Sequence, residues 1–170
     1  ELALPVDELL PAGSARSVGK ELEFQGRKWI IQTVEEVLAA RPQVALFSAG
    51  GDVSKKWAPE FAEAGITVID HSSTWRMDPD CPLVVPEVNG DAIGPDDRII
   101  ANPNCTTMQL VMALKPLHDA FCIQRGVVST YQSITGTGKA AIVQLESERA
   151  GEPVEAPVYP HPIDLNCLPH

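Results

Sequence analysis

An α/β fold, a doubly wound and mostly parallel sheet of Rossmann-like type, is predicted by two observations in this 170-residue chain. Short apolar runs alternate with segments of helical period, the alternation of βαβ units. The segments rich in Gly, Ser, Asn and His fall directly after the apolar runs, where parallel sheets open to ligands. Residues 21–24 and 29–31 flank Gln25-Gly26-Arg27 and read as a short hairpin. Residues 34–40 are a helical turn or two, and residues 44–47 a short apolar strand broken by Ser48-Ala49-Gly50-Gly51. Helical period returns over residues 53–64 and stops at Gly65; residues 66–69 form the next strand, and Ile99 with Ile100 belongs to another. Residues 106–121 are the longest helix candidate. Residues 126–134 are rich in β-branched side chains and read as a strand, and residues 139–150 return to helix with Gly151 as the stop. Three polar segments therefore fall at strand ends: Ser48 to Gly51, His71-Ser72-Ser73, and Asn102 to Cys105.

Composition narrows the function classes. The chain is 44% hydrophobic and 21% charged, ordinary for a globular protein. A net charge of -10 argues against a nucleic-acid or anionic-membrane partner. No apolar stretch approaches the roughly 20 residues of a membrane span, and no signal-peptide pattern opens the chain. Cys81, Cys105, Cys122 and Cys167 lack the paired spacing of metal ligands, so no metal is expected; a reducing, cytoplasmic setting suits them better than a disulfide framework.

Cys105 is the residue with the most chemistry. It lies between the apolar run ending at Ala101 and the helical stretch that follows, in Asn102-Pro103-Asn104-Cys105-Thr106-Thr107. A thiol in the first turn of a helix sits among unpaired N–H groups, and the positive end of the helix dipole favours thiolate over thiol. The other reading is a small buried apolar side chain at a helix start. Other side chains carry less. His71 reads as structural and His118 as a surface residue of the long helix. Nothing near His161 or His170 makes either a metal ligand, and Trp29, Trp57 and Trp75 show no spacing for base stacking. Glu146 and Glu148 with Arg149 read as a solvated helix face.

Two features sit oddly with a whole dinucleotide-binding domain. No G-x-G-x-x-G loop follows a first strand, and the stretch from Pro153 to His170 carries five prolines with little regular pattern. Six motifs in order then resemble the aspartate-semialdehyde dehydrogenases. They are Ser14-Ala15-Arg16-Ser17-Val18-Gly19-Lys20, Phe47-Ser48-Ala49-Gly50-Gly51, and Asp70-His71-Ser72-Ser73 with Arg76-Met77-Asp78. Then come Pro82-Leu83-Val84-Val85-Pro86-Glu87-Val88-Asn89, Asn102 to Thr107, and Tyr131-Gln132-Ser133-Ile134-Thr135-Gly136-Thr137-Gly138. In that family a glycine-rich nucleotide loop precedes the first motif, and an acid–base histidine and a substrate-binding arginine follow the last. The chain is thus similar to a middle portion of a family member.

The resemblance implies reversible, NADPH-dependent reduction of L-aspartyl 4-phosphate to L-aspartate 4-semialdehyde and phosphate, in biosynthesis of lysine and diaminopimelate, methionine and threonine. Cys105 matches the nucleophile that forms an acyl thioester, suited to the task because sulfur both attacks and leaves well. Gln132 matches the glutamine at the reacting centre; the alternative is a strand glutamine bonding to backbone. Arg76 matches the phosphate-binding arginine, whose planar fork fits phosphate oxygens; the alternative is an ion pair with Asp78 or Asp80. Asn104 either adds a donor to that phosphate or serves as the turn residue that places Cys105.

Toward the cofactor, Arg16 and Ser17 match positions holding the adenosine 2'-phosphate, the reason for expecting NADP; the alternative is a surface turn. Ser48 and Gly50 match the loop that lets backbone approach the dinucleotide, and Thr135 and Gly136 match residues on the nicotinamide side, with plain loops as the alternatives. Residues 1–104 would be the remainder of an NADP-binding domain, and residues 105–170 the start of an α+β catalytic and dimerisation domain. The family implies a homodimer or homotetramer, and the 170 residues alone are expected to lack turnover. N-acetyl-γ-glutamyl-phosphate reductase uses the same thioester logic but usually has glycine where this chain has Asn104. Glyceraldehyde-phosphate dehydrogenase shares the Cys-Thr-Thr run without its flanks. A non-catalytic binding or assembly module is a third reading, distinguished by equal, slow alkylation of all four cysteines.

Overall fold

The computed structural model describes residues 6–169, so the reading of His170 lies outside the described residues. The chain divides into two units, Glu1–Cys122 and Ile123–His170.

In the first unit, β1 (Glu21–Phe24) and β2 (Arg27–Ile30) form an antiparallel hairpin with Glu21 opposite Ile30. Its two-residue loop, Gln25 and Gly26, has φ of 51° and 70°. That left-handed pair matches the strands' twist, so β2 starts at Arg27, earlier than the sequence suggests. The Ser14–Gly19 turn folds onto this hairpin, the Gly19 N–H donating to Ile31 O at 2.8 Å and the Gly13 N–H to Gln32 O at 3.0 Å.

Helix α1 (Val34–Ala40) begins with a reciprocal cap. The Glu36 N–H donates to Thr33 Oγ1 at 3.2 Å, and the Thr33 N–H donates back to Glu36 Oε2 at 2.8 Å. The Thr33 backbone and hydroxyl hydrogen bonds hold the Glu36 carboxyl below the ordinary glutamate range.

The parallel sheet is built from β3 (Val44–Phe47), β4 (Thr67–Asp70) and β5 (Ile99–Ala101), in that spatial order. Helix α2 (Gly51–Glu63) crosses from β3 to β4 and packs on one face. Val37, Ala58, Phe61, Ile66 and Val68 are buried there, with Phe47 edge-on to Phe61 at 5.3 Å between ring centres. The fold is α/β with a parallel sheet and helices, as the alternation predicts. Register aligns the strand exits: Phe47 pairs Asp70, and Asp70 pairs Ala101. Segment 82–84 flanks the far side of β5, with the Val84 N–H donating to Ala101 O at 2.9 Å. A short α3 (Pro86–Asn89) and a 3-10 turn (Gly90–Ala92) follow, neither anticipated from sequence. Helix α4 (Cys105–Phe121) closes the unit and ends at Cys122 in a left-handed conformation, φ 53°.

In the second unit the expected strand over residues 126–134 is absent. A strand needs a neighbour to pair its N–H and C=O groups, and none of the described residues forms a ladder with this stretch; Val127 and Tyr131 stand more than 80% exposed. Its last residue opens a 3-10 turn instead, Ile134–Thr137. Helix α5 (Lys139–Ala150) has the predicted bounds, stopped by Gly151 at φ 69°. The solvated-face reading of this helix holds for Glu146 and Arg149, which are exposed, and is corrected at Glu148. Glu148 Oε2 accepts the N–H groups of Ile163 and Asp164, both at 2.8 Å, and Arg149 pairs with Asp164 at 2.7 Å. One turn earlier, buried Gln144 accepts the N–H groups of Val158 and Tyr159 at 2.7 and 3.0 Å. The proline-rich stretch has no helix or strand, and side chains of α5 hold four of its backbone N–H groups. Among the described residues no helix is long and apolar enough to cross a membrane.

Candidate functional site

Because Phe47, Asp70 and Ala101 lie at one level of the sheet, the segments after them emerge side by side. Hydrogen bonds then lace them together. The His71 N–H donates to Phe47 O at 2.9 Å and the Asn102 N–H to Asp70 O at 2.8 Å, extending the ladder one step past each strand. Thr74 Oγ1 donates to Gly51 O at 3.2 Å, and the Trp75 indole N–H donates to buried Ser54 Oγ at 2.8 Å. The turn after β4 is thereby pinned to the first turns of α2.

Cys105 is the first residue of α4 and is exposed at the exit of β5. Asn104 is the cap: its Oδ1 accepts the Thr106 N–H at 3.0 Å and the Thr106 hydroxyl at 2.6 Å, while its carbonyl accepts the Met108 N–H at 3.0 Å. The cysteine Sγ lies 3.9 Å from the same Oδ1. Asn104 thus fixes the helix start that presents the thiol. An apolar cleft of about 250 Å³ lies between α3 and α4, walled by Val85 and Val88 on one side and by Pro103, Thr107 and Val111 on the other; Cys105 does not line it.

Arg76 reaches across from the β4 turn. Its Nε–H donates to Asn102 O at 2.8 Å and an Nη2–H to His71 O at 3.2 Å. Among the described residues, no ion pair engages it with Asp78 or Asp80. Ser48 and Gly50 are exposed at the exit of β3, where Gly50, at φ 94°, precedes α2. Arg16, exposed, and Ser17, half-buried, lie in the turn folded onto the hairpin. Gln132, Thr135 and Gly136 belong to the second unit. There the Ser133 Oγ caps the 3-10 turn, accepting from the Thr135 N–H at 3.4 Å.

Asp70, Ser72 and Asn102 stand in the sequence motifs without a role of their own, and Thr74 outside them; in the structure the four knit the strand exits. The carboxylate of fully buried Asp70 accepts the Ser72 hydroxyl at 2.6 Å, and Ser72 Oγ accepts the Thr74 N–H at 3.1 Å. A carboxylate closing the apolar run 66–69 was the available signal. His71, read as structural, does bond: the Asn102 side-chain amide donates to its ring at 3.1 Å. Cys81 is half-buried, and burial first, then the carboxylates of Asp78, Asp80, Asp97 and Asp70, push its thiol up from the ordinary range. Among the described residues no cluster of side chains suits a metal ion.

Residues 1–95 match the profile of the semialdehyde dehydrogenase NAD binding domain, and residues 114–170 that of the semialdehyde dehydrogenase dimerisation domain. The whole chain is 48% identical over 178 residues to an aspartate-semialdehyde dehydrogenase of Aquifex aeolicus, covering 52% of that protein. The structure of aspartate semialdehyde dehydrogenase II complexed with ASA, from Vibrio cholerae, superposes with a TM-score of 0.85 at 48% identity, over 98% of this chain and 51% of that one. Aspartate semialdehyde dehydrogenase with NADP from Candida albicans gives a TM-score of 0.56 at 25% identity, over 68% of this chain and 40% of that one. The chain spans about half the length of the curated relatives it matches.

Proposed function

The chain belongs to the semialdehyde dehydrogenase family, and from that premise we propose that it carries the thiol centre of an aspartate-semialdehyde dehydrogenase. The reaction is the reversible reduction of L-aspartyl 4-phosphate to L-aspartate 4-semialdehyde and phosphate, serving the lysine/diaminopimelate, methionine and threonine branches. The observation that carries this reading is Cys105: an exposed thiol at the first position of a helix, delivered by the exit of a central parallel strand and capped by Asn104.

The loop after β3 supports dinucleotide binding. Gly50 adopts a conformation costly to other residues and a side-chain carbon there would meet nothing within 4 Å, so its backbone lies open just ahead of α2, while Gly51 packs closely against Thr74 Oγ1. Ser48 and Gly50 would hold the cofactor there, with Arg16 and Ser17 at the adenosine 2'-phosphate and Thr135 and Gly136 on the nicotinamide side. NADP is the proposed cofactor, a choice favoured by the relative from Candida albicans described with NADP. The chemistry a bound NADPH supplies is hydride donation to the acyl carbon.

The chain's own residues do the rest. The Cys105 thiolate attacks the carbonyl carbon of the acyl phosphate; the C–O bond to phosphate breaks and an acyl thioester remains. Phosphate departs as a polyanion, and Arg76 offers it the guanidinium edge not bonded to the loop, with Asn104 beside the thiol. Gln132 holds the substrate carbonyl as a donor that cannot act as a base. After reduction, collapse of the thiohemiacetal frees the aldehyde and returns Cys105 as thiolate.

Residues 1–104 serve as the remainder of the NADP-binding domain and residues 105–170 as the start of the catalytic and dimerisation domain; a homodimer or homotetramer is supported by the dimerisation-domain match. The acid–base histidine and carboxylate-binding arginine of the family match no residue here, so the 170 residues alone are expected to show no steady turnover. The test is phosphate-dependent NADP reduction by the full gene product, with aspartate semialdehyde and N-acetylglutamate semialdehyde compared and Cys105→Ser as control. Activity on the first, lost in the control, supports the reading. Preference for the second assigns the chain to the acetylglutamyl-phosphate reductases, and inactivity on both overturns the enzyme assignment.

A further inference from the structure

We propose that Arg76 is a positioning residue for Cys105, acting through the backbone of the segment that leads into α4, in addition to its role toward phosphate. This inference rests on the reading of Cys105 as the nucleophile. A guanidinium has five N–H donors. Here the edge carrying Nε–H and one Nη2–H closes on two carbonyls, Asn102 O at 2.8 Å and His71 O at 3.2 Å. Those carbonyls belong to the first residues beyond β5 and β4, the two segments that meet beside the thiol. The clasp therefore bridges both strand exits three residues ahead of Cys105.

Three features make the clasp a rigid one. The turn bearing Arg76 is anchored on its own side by Trp75 to Ser54 and by Thr74 to Gly51, so the guanidinium starts from a fixed base on α2. Asn102 is gripped at both backbone atoms, its N–H by Asp70 O at 2.8 Å and its carbonyl by Arg76. From Asn102 only Pro103, buried and fixed in φ, and the capping Asn104 intervene before the thiol. The Nη1–Nη2 edge faces away from these bonds and is the one suited to an oxyanion. One residue thus joins two tasks: an anion arriving at the outer edge meets a guanidinium whose inner edge sets the thiol. Lysine can supply the charge but not the second task, because a single ammonium lacks a planar edge matching both carbonyls.

The experiment uses the full gene product in phosphate-free buffer and compares iodoacetamide alkylation of Cys105, resolved by peptide mass, with that of exposed Cys122 in the same molecule. Wild type, Arg76→Lys and Arg76→Gln are compared. Loosening the lead-in frays the first turn of α4, where the Asn104 cap sits beside the thiol, so the Cys105-to-Cys122 rate ratio should fall about tenfold in both variants. Lysine should fail to rescue, which separates positioning from charge. An unchanged ratio in either folded variant overturns the proposal, because a residue serving phosphate alone has no task in phosphate-free buffer. If the variants do not fold, amide exchange of the wild-type chain decides. Asn102 and Thr106 N–H groups exchanging as slowly as β5 support the clasp, and exchange at open-loop rates overturns it. A wild-type Cys105 no faster than Cys122 would instead defeat the nucleophile reading, an outcome read from the wild type alone.

Discussion

The Ser72 hydroxyl donates to the carboxylate of Asp70 at 2.6 Å, and that carboxylate is wholly buried with its other oxygen, Oδ1, unpartnered. Ser72 is thus the donor that the buried charge depends on, and its oxygen in turn accepts the Thr74 N–H. Replacing Ser72 with alanine strips both groups of their partner. Leaving a buried charged acceptor without its donor costs about 2–3 kcal/mol. Urea unfolding of Ser72→Ala should show a loss of that size, while Ser72→Thr should retain most of the stability. A loss below about 0.5 kcal/mol, the range of a surface substitution, would mean that the pair is not formed.

Phe61 anchors the core on the face of the sheet that α2 covers. It is 2% exposed and meets Phe47 edge-on, with the ring planes at 85°. Truncation to alanine removes that contact and opens a cavity under β3, at a cost of about 3–5 kcal/mol. Phe61→Leu, which keeps most of the volume, should lose less than half as much. Equal losses in the two variants would show that the site collapses around either side chain.

Much of this architecture is legible in the residues, and the exceptions share a cause. The apolar runs at 44–47 and 99–101 become strands because each finds a parallel neighbour. Residues 126–134 carry the same β-branched signal, yet 126–133 remain irregular and Ile134 joins a 3-10 turn, since propensity without a ladder leaves backbone groups to water. Helix α5 was readable from its period and Gly151. Its use of Glu148 and Arg149 was not, because their partners lie 15 or 16 residues away on a stretch with no pattern of its own. Cys105 and its capping asparagine stand out as a strand-to-helix junction. Arg76 is visible as a charge, yet its acceptors are main-chain carbonyls, which every residue possesses and no sequence marks.

The hold of α5 on the proline-rich stretch should depend on pH. The Gln144 amide and the N–H groups of Asp164 and Ile163 depress the Glu148 carboxyl below the ordinary glutamate range. A depressed folded-state pKa means that the carboxylate contributes stability above the unfolded value, and that this contribution is lost as pH falls through the folded value. The Ile163 and Asp164 amide proton resonances should therefore be constant near neutrality and move together below the usual glutamate midpoint. Glu148→Gln should abolish that shared titration. Titration at or above the ordinary midpoint would show that the two amides do not bond to the carboxylate.

The four cysteines should rank by surroundings rather than by exposure alone. Cys105, Cys122 and Cys167 are all exposed, so access does not separate them. Cys105 heads α4, at the positive pole of the helix dipole. Cys122 sits at the opposite end of the same helix, at the negative pole. The contrast is internal to α4, with one thiol at each pole. Cys81 is half-buried, and its desolvation and four nearby carboxylates raise its thiol above the ordinary range, placing it last. At neutral pH, competitive alkylation should follow the order Cys105, then Cys122 with Cys167, then Cys81. The lead of Cys105 should be about tenfold, from its exposed place at the helix start. Equal rates at all three exposed cysteines would show that the helix start confers no activation on Cys105.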